Sequence, residues 1–100
     1  MTDDADDSTP AERKPKGRIS FDPETPNAVI YDVLSDVATD VIGEYIQISV
    51  ETDDPAIKSD AKAKAIKVRQ AKRNVDPDDR EALITEVRRL EQERDALRGV

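Results

Sequence analysis

Four carboxylates, Asp32, Asp36, Asp40 and Glu44, recur every four residues, so a helix would line them along one face, where they could gather a divalent cation. Downstream, the stretch AIKSDAKAKAIKVRQAKRN (residues 56–74) sets Lys58, Lys62, Lys64, Lys67, Arg69, Lys72 and Arg73 against the single Asp60, in a chain whose formal net charge is -7. Cations at that density could meet nucleic-acid phosphate or a complementary acidic protein surface. The remaining chemical repertoire is thin. His and Cys are both absent, which removes the usual zinc ligands, thiol chemistry and the side chain most used for proton transfer near neutral pH. There is no glycine-rich phosphate loop, and with Phe21, Tyr31 and Tyr45 as the whole aromatic complement the chain has little bulk to enclose a substrate. These features predict a protein that is not an enzyme and uses no cofactor and no metal. The acidic stripe is then a solvated or lysine-paired face.

The elements that must position these charges can be read from periodicity. Residues 1–24 are expected to form a disordered or extended charged arm: Asp3, Asp4, Asp6 and Asp7 are followed by Arg13, Lys14, Lys16 and Arg18, with only Ile19 and Phe21 for anchoring. Residues 25–100 are expected to make a single small helical domain. Its first element is a long amphipathic helix whose apolar series, Ile30, Val33, Leu34, Val37, Val41, Tyr45 and Ile48, keeps helical spacing opposite the acids. Pro26 opens it, with Thr25 or Asn27 as cap. The spacing predicts helix through about residue 48. After Gly43, however, Ile46, Ile48 and Val50 alternate with polar residues, so the alternative is a small α+β fold with a short strand near 44–51.

Asp54 as cap and Pro55 at the first helical position predict a second helix over about 56–74, with a stripe of mostly small apolar residues: Ile57, Ala61, Ala65, Val68 and Val75. A third helix is predicted from Pro77 to about Arg98. Leu83, Val87, Leu90 and Leu97 form a heptad-like seam there, with Arg94 at one core-type position. The acids flanking this seam, Glu86, Glu91 and Glu93, do not specify self-pairing, because some like charges meet in either orientation. They do complement the cations of the preceding helix, and the Asn74–Pro77 connection is short. The expectation is therefore an antiparallel helical hairpin in which basic and acidic flanks face each other, with the first helix offering the same cations a second acidic surface.

The fold class expected is mainly α: a long amphipathic helix plus an antiparallel hairpin. The function expected is structural, assembly or adaptor work through helical protein–protein interfaces in a homo- or hetero-oligomer. In size and layout such a chain is similar, in a general way, to minor structural and connector proteins of tailed viruses, which implies a place in a virion or a comparable complex. The alternative is a small nucleic-acid-binding regulator that uses residues 56–74. A basic helix ahead of a heptad seam resembles the basic-zipper layout, but Asp76-Pro77 interrupts the continuous helix which that layout needs. The acidic start, MTDDADDSTP, has neither the basic nor the apolar run of an export signal, so a cytoplasmic or virion location is expected. Four acids interrupt the apolar run from Ala28 to Val50, which argues against a membrane span.

Overall fold

A computed structural model describes residues 21–99, in which helices α1 (Asn27–Glu51), α2 (Pro55–Asn74) and α3 (Arg80–Arg98) account for every regular element. The arm expected over 1–24 lies outside the described residues as far as residue 20. From Phe21 the chain already touches the bundle. Phe21 packs against the core with the Arg88 guanidinium 5.7 Å from its ring centroid, and Arg80 donates to the Thr25 carbonyl at 2.5 Å and to the Asp22 carbonyl at 2.6 Å.

The mainly α expectation holds, and residues 44–51 are helix, not strand. α1 runs past residue 48 to Glu51, and Thr52 N–H closes its last turn on the Ile48 carbonyl at 3.1 Å. Helical geometry splits the alternating residues: Ile48 and Ser49 turn inward, while Ile46 and Val50 face solvent. No strand exists among the described residues to pair with this segment, so its backbone bonds are satisfied locally. Neither expected cap serves α1. Pro26 occupies the cap position without a side-chain bond, and the Asn27 amide instead donates to the Pro77 carbonyl at 3.3 Å, tying α1 to the turn before α3. At α2 the expectation is met: Asp54 accepts from Ala56 N–H at 2.9 Å, and Pro55 opens the helix. α3 starts three residues later than its expected Pro77. Asp76 caps a turn through Asp78 N–H at 2.9 Å, and Asp79 then caps the helix through Ala82 N–H at 3.1 Å.

α2 runs antiparallel to both other helices, with Lys72 near its end over the Tyr31 ring near the start of α1, and Arg98 at the end of α3 bonded to Glu44 of α1. The α2–α3 hairpin is thus antiparallel, but each of its arms packs chiefly on α1, and the two meet each other at few points. α1 supplies Ile30, Leu34, Val37, Ala38, Val41 and Tyr45 to the shared core; α2 adds Ala65 and Val68, and α3 adds Leu83, Val87 and Leu90. The small residues of α2 let it sit close on α1 while contributing little bulk.

Candidate functional site

The α3 seam is spent inside the molecule. Leu83, Val87 and Leu90 are fully buried and Leu97 half-buried, all packed in the common core, so this stripe is not an open face awaiting a partner. Of the α2 stripe, Ala61, Ala65 and Val68 are buried, but Ile57 remains 48% exposed. The cause is length. α3 ends level with Glu44, where Arg98 bonds it, whereas α1 continues to Glu51, so the first turn of α2 extends past the end of α3.

The cations of α2 do not face acids as their flanks suggest. Among the described residues the ion pair formed by this helix is internal, Lys64 to Asp60 at 3.0 Å, and none joins α2 to α1 or α3. Two geometrical facts explain the difference. The acids flanking the α3 seam are taken by its own arginines: Arg89 engages Glu86 and Glu93, and Arg88 reaches Glu91 at 3.3 Å. Two acids of α1 are taken by α3, Asp40 by Arg94 at 3.5 Å and Glu44 by Arg98 at 2.7 Å. Matched four-residue spacing on both helices (Asp40 with Glu44, Arg94 with Arg98) is the signal in the sequence that would have found this pairing. No group of three or more carboxylates close enough to hold a metal ion occurs among the described residues.

The basic residues consequently divide into two sets. At 100° per residue, Lys64 and Lys67 turn toward α3 and line an open cleft of about 430 Å³. Its floor is Tyr45, Val68 and Ala71, and its far wall is Glu86, Arg89 and Glu93. The others lie on the α1 side or the outer flank of α2. Lys58 is half-buried, Lys72 is half-buried over Tyr31, and Lys62, Arg69 and Arg73 are exposed, with the half-exposed Ile66 among them.

Tyr45 is the junction of the three helices, and periodicity marks it only as core. Its hydroxyl donates to Glu93 Oε2, and Glu93 Oε1 receives Arg89 at 3.2 Å. Burial, then the hydrogen bond and negative charge of Glu93, push the Tyr45 phenol up to about 12. A phenol held neutral to that pH is no base at neutral pH; its part is to hold α1 to α3. The sign of its linkage follows. With the folded value above the ordinary 10, the stabilisation is complete below pH 10 and is lost as pH rises toward 12. Urea unfolding from pH 8 to 12 should show a decline over that window which Tyr45→Phe largely removes. A decline of equal size in the variant would show that the Tyr45 hydroxyl is not its source.

The chain matches no protein-family model, no curated protein and no solved structure. No helix among the described residues is long and apolar enough to cross a membrane.

Proposed function

We propose that this protein is a non-enzymatic assembly or adaptor protein that works by docking helical surface onto protein, as a component of a larger complex such as a virion or connector. One observation carries the reading. α2 commits only Ala61, Ala65 and Val68 to burial and turns outward a flank that mixes Lys62, Arg69 and Arg73 with Ile66, half-exposed among charges that no ion pair among the described residues uses. A large exposed aliphatic amid cations favours a partner with both apolar and acidic groups, which is a protein surface. The working surface is therefore the outside of α2 and its neighbour α1, and the buried seam of α3 supports it from within.

The uncommitted cations favour a second reading, binding of nucleic acid by α2. Against it stand the lack of any aromatic within α2 for base stacking and the acidity of the rest of the chain, at net charge -7 overall. Filter binding of duplex DNA decides between them. The assembly reading expects weak binding even at about 50 mM salt, where phosphate contacts are near their strongest. Micromolar binding that falls steeply with salt, and that is abolished by changing Lys62, Lys64 and Arg69 together to Glu, would replace it with the nucleic-acid reading.

A further inference from the structure

From the charge pattern of one face we infer that the partner of the α1–α2 surface is a second copy of this chain, paired as an antiparallel four-helix layer. The inference rests on the assembly reading above and names its partner. The face is the side of the α1–α2 pair turned away from α3. α3 is located on one flank of α1 by Arg94 and Arg98 at Asp40 and Glu44, and on one flank of α2 by the cleft that Lys64 and Lys67 line. The opposite side of α1 carries Asp32, Asp36, Thr39, Gly43, Ile46 and Val50; that of α2 carries Lys62, Ile66, Arg69 and Arg73. One helix of the face is acidic and the other basic. Both present bare aliphatics, with Ile46 44%, Val50 72% and Ile66 50% exposed.

A two-fold axis running between the helices and parallel to them lays α1 of each copy over α2 of the other. Rotation about such an axis keeps helix direction and height, so each overlying pair is antiparallel, as α1 and α2 already are within one chain. Heights are fixed by the three-residue connection from Glu51 to Pro55 and by Lys72 over Tyr31. They bring Arg69 level with Asp36, Arg73 level with Asp32, and Ile66 level with Thr39, within about one helical turn. The pairing is self-complementary, since every contact occurs twice.

Gly43 supplies an independent reason. It interrupts a long helix, where glycine is unfavourable, yet a Cβ built there would meet nothing within 4 Å, and it does not have a positive φ. Nothing inside the molecule asks for glycine at this place. In the dimer it lies level with Lys62 of the other copy and permits the two helices to approach closely.

The test is the mass of the full chain by light scattering over a concentration series at about 50 mM salt, for the natural protein, Asp36→Arg, Arg69→Asp and an equimolar mixture of the two variants. The natural chain is expected at twice 11.1 kDa. Each variant sets like charges against each other at two places and should raise the dissociation constant at least about tenfold, with unchanged helical circular dichroism because both residues are exposed. The mixture should restore the dimer, since the retained Asp36 of one variant meets the retained Arg69 of the other, and the introduced arginine meets the introduced aspartate. A natural chain that stays at 11.1 kDa throughout the series, or a mixture that dissociates no less than its components, overturns the pairing. The assembly reading would then need a different protein partner; that reading itself fails only in the DNA titration.

Discussion

Leu90→Ala is expected to remove about 2–5 kcal/mol of stability. Leu90 has no exposed surface and shares the core with Val87 and the buried residues of α1. A helical layer of this size has a total stability of order 4–12 kcal/mol, so the loss would be a large share of it. The core offers little to refill the space, because α2 contributes only Ala65 and Val68 to the same cluster and the chain has no tryptophan. Urea unfolding at a fixed protein concentration, followed by circular dichroism, measures the effect; concentration must be held constant because any self-association adds to apparent stability. An unchanged midpoint would mean that the α3 seam does not pack on α1.

Arg94→Leu should do the opposite and stabilise the protein by about 1 kcal/mol or more. Arg94 stands where the seam of Leu83, Val87, Leu90 and Leu97 calls for an apolar side chain, and only 13% of its own side chain is exposed. It is poorly compensated there. Its Nη1 reaches Asp40 at 3.5 Å, its Nε is buried without a hydrogen-bond partner, and Asp95 lies 3.8 Å away. Asp40, with 46% of its side chain exposed, loses little when the guanidinium goes, because water replaces it. Leucine would continue the apolar stripe and remove the orphaned donor. For a chain of this length the gain corresponds to a rise in melting temperature of about 4–8 °C per kcal/mol. A fall in melting temperature would show that the Arg94–Asp40 bond sets the register of α3 on α1, in which case Asp40→Asn should produce a similar fall.

The two substitutions separate what α3 owes to apolar burial from what it owes to charge. Its four α1-facing links, Arg94 to Asp40, Arg98 to Glu44, Tyr45 to Glu93 and the Leu90 contacts, act on the same packing. The Arg98–Glu44 and Tyr45–Glu93 links are partly open to solvent and contribute mainly by fixing rotation and height, the Arg94–Asp40 link is the poorly compensated one that leucine should improve on, and Leu90 contributes through volume.

By itself the sequence determined the three helices and most of the residues each would bury, Ile57 being left exposed beyond the end of α3. Ile30, Leu34, Val37 and Val41, and Leu83, Val87 and Leu90, repeat at spacings that only a helix turns into one face, and Asp54-Pro55 marks the start of α2 without reference to anything distant. Residues 44–51 were ambiguous because strand and helix periods coincide over a short apolar run; the helix prevailed because Ile48 and Ser49 find the core when the 3.6-residue turn continues past Gly43, and no strand among the described residues is present to reward the other choice. What only the tertiary structure decided is which charge meets which. Opposite flanks on α2 and α3 are equally compatible with pairing each other or pairing elsewhere, since charge attraction at exposed sites is too weak to dictate helix order. Apolar contact with α1 sets the arrangement, leaving Lys64 and Lys67 across a cleft from α3 and turning Lys62, Arg69 and Arg73 outward, because the angle between two helices packed on a third is set by the width of its apolar face.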